Sequence, residues 1–289
     1  MKRFLLLLGV LTTFSFSIQA QGLNNLWQLG YASYDGLPYG GTNIDFSTGT
    51  ANVYYQNRAM EFGRTHANIT DSNGQLLFYS NGYYIADRTG DTLQNGTGLN
   101  PSTYTSWYPD GLHIQQANLI LPKPASSNLF YLFHSTIDND FISLPAAKYL
   151  YLTTIDMTLN GGFGGVVTKN KILLEDQLNV GKITSVKHAN GRDWWVFCHK
   201  ANSSSFYRFL VSPDGVSSPV IQNIGINRPP DVGQAVFSPN GNYFAYYDTN
   251  HRLEIMEFDR CSGLLSNPTL VVINDSTFGG GVAFSPNSN

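Results

Sequence analysis

The strongest constraint on this chain is a hairpin that its sequence writes four times. Short apolar runs meet across tight turns in "HANITDSNGQLLFYSNG", "ANLILPKPASSNLFYLFH", "ITSVKHANGRDWWVFCHK" and "QAVFSPNGNYFAYYD". Apolar runs bounded by turn residues read as strands, and two such runs joined by a short Gly-containing turn read as a β-hairpin. Asn73-Gly74, Asn190-Gly191 and Asn240-Gly241 are expected to supply the positive φ angles these turns need. Pro239 withholds a backbone donor where an inner strand ends.

More strands follow the hairpins. "FYRFLVS" and "PVIQNIG" come after the third copy, and "RLEIMEFD" and "TLVVIND" after the fourth. Hairpin, third strand and fourth strand make a unit of about 45 to 60 residues, the period of a propeller blade. A solenoid would need shorter and more regular repeats, and a sandwich would not regenerate the same hairpin. The predicted fold is therefore all-β, a β-propeller of four-stranded antiparallel blades. Its inner strands are "HANIT", "ANLIL", "ITSVK", "QAVFS" and "GVAFS", with Phe78, Phe130, Trp195 and Tyr246 filling the space between sheets. Residues 26–56 read as three strands in search of a fourth, so about five blades are represented. The last repeat carries an inner strand and its turn only. Closure of a ring by residues 26–56 and "GVAFS" is geometrically conceivable, but a lone inner strand leaves unpaired backbone at an edge. The preferred expectation is an incomplete propeller, part of a longer one.

Composition agrees with this reading. A chain of 289 residues, 42% of them hydrophobic, can bury a full core. Charged residues are 13% and aromatics also 13%, so the polar surface comes mainly from Asn, Ser, Thr, Gly and Tyr, which favours strands and turns. "MKRFLLLLGVLTTFSFSIQAQG" has a basic start, an apolar stretch at 4–16 too short to span a bilayer comfortably, and a small residue, Ala20, before Gln21. Residues 1–20 are read as a signal peptide and 21–289 as the propeller domain, secreted or on the cell surface. No cysteine follows the cut to carry a lipid, and no later stretch is apolar enough to span a membrane as a helix. The net charge is −3 with no basic run, which argues against nucleic acid as a partner. Cys198, in an apolar run, and Cys261, in a turn, leave one disulfide or two free thiols open; neither makes this a small disulfide scaffold.

The blocks "DSNGQLLFYSNG", "ANLILPKPASSNLFYLFH", "KHANGRDWWVFCHKANSSSFYRFLV", "FSPNGNYFAYYD" and "FDRCSGLLSNP" occur in order along nearly all of the mature chain. In these blocks the chain resembles a family of secreted WD40-like, or PD40-like, propeller proteins of bacteria that use the type IX secretion system. The resemblance implies a secreted propeller. Members of that family usually continue into further blades, PKD or other immunoglobulin-like modules and a C-terminal sorting domain. None of these follows here, so the resemblance implies a truncated member.

Chemistry is sparse in the sequence. There is no H-E-x-x-H helix, G-x-S-x-G elbow or phosphate-binding glycine loop. No catalytic residue, metal or cofactor is expected. Of His66, His113, His134, His188, His199 and His251, only His188 and His199 are close in sequence, at opposite ends of one hairpin, and a metal needs three or four convergent ligands. Asp71 and Asp138 open loops that resemble the start of a calcium loop, but the position that needs a bidentate Glu holds Gly82 and Tyr149 respectively. Two aromatic stretches, 31–41 and 100–111, lack strand periodicity and read as loops, where Tyr39, Trp107 and Tyr108 could stack on sugars or anchor a protein partner. Gln116, Lys182 and Gln234 stand near the starts of inner strands, where a small ligand in the channel would meet them. The function expected is a non-enzymatic binding or protein-interaction scaffold within a larger cell-surface or extracellular protein, with a surface glycan or protein as partner. The alternative is a lactonase-like propeller hydrolase with His113 and two carboxylates meeting in the channel.

Overall fold

The computed structural model describes residues 25–31, 36–37, 40–138, 146–250, 252–273 and 280–288. Residues 1–20, expected as a signal peptide, and Tyr39 lie outside these residues. The described chain is a succession of antiparallel sheets, each built from consecutive strands. The first holds β1 (Leu26–Leu29), β2 (Thr42–Asp45) and β3 (Asn52–Tyr55), and the second β4 (Ala67–Thr70), β5 (Leu76–Ser80) and β6 (Ile85–Asp87). A short helix, α1 (Thr103–Trp107), precedes the third sheet of β7 (Asn118–Pro122), β8 (Leu129–His134), β9 (Ala146–Asp156) and β10 (Gly165–Asn179). The fourth holds β11 (Thr184–Lys187), β12 (Trp194–His199), β13 (Ser203–Ser212) and the two-residue β14 (Gly215–Val216), with β15 (Val220–Arg228) also pairing with β13. The fifth holds β16 (Gly233–Phe237), β17 (Tyr243–Asp248), β18 (Arg252–Asp259) and β19 (Leu264–Val272). The described residues form five successive blades of a β-propeller.

Position within a blade explains the hydrophobic pattern. The second strands, such as "LFYLFH", "WWVFCH" and "YFAYYD", are buried at all but their first residue. They therefore read as continuous apolar runs. The outer strand β15 alternates between exposed and half-buried residues. Packing between blades is aromatic: Phe78 meets Phe130 edge-to-face at 5.6 Å, and Phe197 meets Phe258 at 5.6 Å. Tyr246 is fully buried, and Trp195 donates from Nε1 to the Arg260 carbonyl at 2.9 Å. Such rings carry much of the stability, since truncating a buried Phe to Ala costs about 3–5 kcal/mol.

The turns differ from expectation in one respect. Gly74, Gly191 and Gly241 take φ of +80°, +73° and +73°, but the asparagines before them do not take positive φ. Each glycine N–H donates back to Asp71, His188 or Ser238. The asparagine serves otherwise: Asn190 Oδ1 accepts from the N–H groups of Arg192 and Asp193, each at 3.0 Å. In the second hairpin Pro124 and Ala125 form a type II turn, with Ala125 at φ +60° and Ser126 N–H donating to the Lys123 carbonyl at 3.1 Å.

The first two blades have three strands rather than four. In the second, the chain after β6 folds against Ile85 and then crosses to the third blade, where Val166 N–H donates to the Gln94 carbonyl at 2.9 Å. Asn68 Nδ2 donates to the Leu26 carbonyl at 2.7 Å, which sets β1 beside the inner strand β4. The inner place of the first blade is thus occupied by β1, and the strand this sheet lacks is an outer one. Residues 280–288 lie instead beside β16, where Val282 N–H donates to Gln234 Oε1 at 2.7 Å and Phe284 stacks on Tyr243. Cys198 is buried and Cys261 exposed, and both are free thiols. Among the described residues no helix is long and apolar enough to cross a membrane.

Candidate functional site

At the end of the inner strands where each blade begins, the structure gathers Gln116, Lys182 and Gln234. Gln116, at φ +49°, precedes β7 and accepts the Ile183 N–H at its carbonyl at 3.1 Å. Its side-chain amide donates to the Ala235 carbonyl at 2.9 Å and accepts the Ala235 N–H at 2.8 Å. That amide behaves as a peptide of an added strand, tying the third blade to the fifth across the start of the fourth. Gln234 is likewise engaged, by Val282.

Lys182 is the unusual member. It lies in the left-handed region at φ +56°, follows Gly181 at φ +67°, and is only 2% exposed. A Cβ on Gly181 would stand 1.9 Å from the Gln115 carbonyl oxygen, so this approach requires glycine. Lys182 Nζ donates to Tyr246 Oη at 3.2 Å and sits 4.5 Å from the ring centroid. Arg228 also packs on that ring, at 4.4 Å, while bonding Asp248 at 2.7 Å and Glu254 at 2.8 Å. Asn179 Nδ2 donates to Tyr246 Oη at 2.9 Å and to His199 Nδ1 at 3.1 Å. Burial brings Lys182 down to about 8, with Asp231 and Asp248 opposing the fall. His199 is brought to about 3 by burial and then by the Arg228 and Lys182 charges. The Tyr246 hydroxyl moves up, chiefly because it is buried.

The aromatic loop stands nearby. Residues 103–107, expected as loop, form α1, capped by Ser102 Oγ accepting the Thr105 N–H at 3.0 Å. Trp107 is 57% exposed, whereas Tyr108 packs on Tyr104 and on His113, with ring centroids 4.6 and 4.5 Å apart. Tyr104 and Tyr108 join Ile114, Ala117 and Val180, neighbours in the chain of Gln116 and Lys182. The histidines disperse: His134 is buried between Asn100 Oδ1 at 2.7 Å and Thr153 Oγ1 at 2.8 Å, and His188 Nε2 lies 3.1 Å from the Cys261 carbonyl oxygen. His251 lies outside the described residues. Asp71 Oδ1 accepts the N–H groups of Asn73 and Gln75, and Asp138 Oδ2 that of Lys148. Among the described residues no group of three or more His, Cys, Asp or Glu side chains is placed to hold a metal ion.

A wide groove lies at the opposite end of the inner strands. With a volume of about 720 Å³, it runs past the turns that follow β4, β7 and β11, on three successive blades. Leu77, Pro122, Pro124, Phe130 and Met157 contribute its apolar walls, and Asp71, Lys123, Lys187 and Arg192 its charged groups. Lys187 Nζ lies 3.7 Å over the Trp194 ring and donates to the Arg192 carbonyl at 3.2 Å. The Arg192 guanidinium holds both oxygens of Asp193, at 2.7 and 3.0 Å. Sequence reasoning missed this groove. Its only signal was a basic residue at or beside the turn in two of the four hairpins, and nothing local shows that those turns come together.

No family model matches the chain, and neither does any curated protein sequence. Among solved structures it is similar to the periplasmic gluconolactonase PpgL of Pseudomonas aeruginosa, with a TM-score of 0.46, 14% identity and 81% of this chain covered. The chain spans 63% of that protein's length. The Dos1 propeller matches with a TM-score of 0.41, 13% identity, and 83% of this chain and 54% of that one covered. The β-propeller domain of Cps50 (Swd1) from Myceliophteria thermophila matches with a TM-score of 0.37, 15% identity, and 85% and 70% covered. These likenesses are too distant to transfer a function, and the propeller assignment rests on the strand order and blade packing above.

Proposed function

We propose that this chain is a secreted, non-enzymatic binding scaffold that holds a partner macromolecule in the groove across its second, third and fourth blades. The observation that carries this reading is the groove itself. Its volume of about 720 Å³ falls within the roughly 300–1,000 Å³ usual for binding sites. Its turns are held by their own hydrogen bonds, including Gly191 N–H to the His188 carbonyl at 2.9 Å, so the surface is largely formed before a ligand arrives. The leader reading of residues 1–20 supports an extracellular setting, and export with loss of those residues would test it. Ser127→Trp fills the groove from an exposed position without touching the turn's bonds. A ligand selected from glycan and peptide collections on the native chain should lose binding to this variant. Undiminished binding would remove the groove from the account.

A second reading, a lactonase-like hydrolase at the channel end, draws on one observation. Lys182 and His199, both with lowered proton affinity, stand around Tyr246 there, and such perturbed groups cluster at functional sites. Turnover of a lactone panel that Lys182→Met abolished would favour it over the scaffold.

A further inference from the structure

We propose that the groove takes an acidic, partly apolar polypeptide segment of its partner, an inference that rests on the scaffold reading above. Four observations carry it. First, the apolar walls are mostly aliphatic and proline surfaces, from Leu77, Pro122, Pro124 and Met157 beside Phe130, a chemistry that suits apolar side chains. Second, the indole that would serve as a sugar platform is engaged: Lys187 Nζ covers the Trp194 ring at 3.7 Å.

Third, the charges are unevenly satisfied. Arg192 is matched by Asp193, but among the described residues neither Lys123 nor Lys187 forms an ion pair with a carboxylate. Asp71, the carboxylate in the groove lining, already accepts two N–H groups of its own turn, and Asp193, which attracts Lys187, is held by the Arg192 guanidinium. Fourth, these two ammonium groups stand on successive blades of a chain whose net charge is −3, so they form a local exception to its acidic character. A segment with carboxylates on one side and apolar side chains on the other would match both the rim and the walls. Such complementarity selects a partner and speeds its arrival more than it adds raw affinity.

The test uses the mature chain and fluorescence anisotropy with three probes. These are a labelled synthetic peptide of alternating Glu with Leu or Phe, its Gln counterpart, and a uronate oligosaccharide. The Glu peptide should bind at least about tenfold tighter than the Gln peptide, a factor equivalent to about 1.4 kcal/mol. Its affinity should fall as salt rises, because the screening length shortens from about 10 Å at 0.1 M to about 3 Å at 1 M. Lys123→Glu combined with Lys187→Glu should cost at least a further tenfold, measured on protein whose circular dichroism matches the native chain. If that pair does not fold, Lys123→Gln alone and the salt series on the native chain decide the matter. Equal binding of Glu and Gln peptides, both blocked by Ser127→Trp, would overturn the acidic preference and leave the scaffold standing. Tighter binding of the uronate than of either peptide would overturn the polypeptide class. Absence of binding by all three probes would overturn this inference, and binding of other ligands that Ser127→Trp left intact would overturn the scaffold as well.

Discussion

Lys182 and Tyr246 meet inside the protein, and among the described residues no carboxylate is bonded to the lysine. The amine donates to the phenol oxygen at 3.2 Å and lies 4.5 Å from the ring centroid, and its residue is almost wholly enclosed. Lys182 comes from the approach to β11 and Tyr246 from β17, so the contact joins the fourth blade to the fifth. A buried ammonium without a bonded anion is costly, and several measurable consequences come from that cost.

Stability should rise with alkaline pH. Lys182 has a proton affinity near 8 when folded against an ordinary 10.5, so between these values the unfolded chain binds more protons than the folded one. Unfolding free energy therefore increases as pH rises through this window, by up to about 1.4 kcal/mol per pH unit. Urea midpoints measured from pH 7.5 to 8.5, below the range where Cys198 and the buried tyrosines ionise first in the unfolded chain and oppose the effect, should climb in the native chain and stay flatter in Lys182→Met. A native midpoint that falls over this range would contradict the assignment.

The same sign holds on the acid side. His134 and His199 are buried, neutral and brought to about 3 by desolvation, against 6.5 when free. Here too the unfolded chain binds the extra protons, so the stability present above 6.5 is lost as pH falls toward 3. At pH 5 each should cost about 2 kcal/mol relative to pH 7.5. Calorimetry across this range should show a falling melting temperature, with a shallower fall in His199→Gln.

Gln116→Ala removes both hydrogen bonds to Ala235 and leaves a buried N–H and a buried carbonyl unpaired. Each stranded group costs about 1–3 kcal/mol, so the variant should lose roughly 2–5 kcal/mol by chemical denaturation. Gln116→Glu keeps an acceptor for the N–H but sets a carboxylate against the Ala235 carbonyl, and should lose at least as much.

Arg228→Met should be far more damaging than removal of a surface charge, because Arg228 is wholly buried. Arg228, Asp248 and Glu254 are all buried, and removing the cation strands two carboxylates, with only Arg252 left to pair with Asp248. Breaking a buried pair in this way costs about 3–5 kcal/mol. A thermal melt within a degree of the native one would show that the network does not hold the fourth and fifth blades together.

The hairpins were legible in the sequence because a hairpin is local: "FSPNGNYFAYYD" contains its strands, its turn and the glycine the turn needs. The fully buried second strands were legible too, since "WWVFCH" has no exposed face to leave polar. The exchange of β1 for "GVAFS" at the inner place of the first blade was not, because neighbouring inner strands touch through single contacts such as Asn68 to Leu26. The set around Tyr246 draws on Asn179, Lys182, Arg228 and Glu254, which blade packing alone brings together. Lys182 was singled out for its place before an inner strand, but neither its burial nor its left-handed backbone was visible there. The groove follows the same logic, being a property of three turns on three blades.

The most direct measurement is hydrogen exchange of residues 21–289 with and without the bound Glu-rich peptide. The account predicts protection confined to residues 71–77, 122–128 and 187–194, the three turns and the strands they join. Protection centred instead on residues 179–182, 199–202 and 228–231 would place binding at the channel end and contradict it.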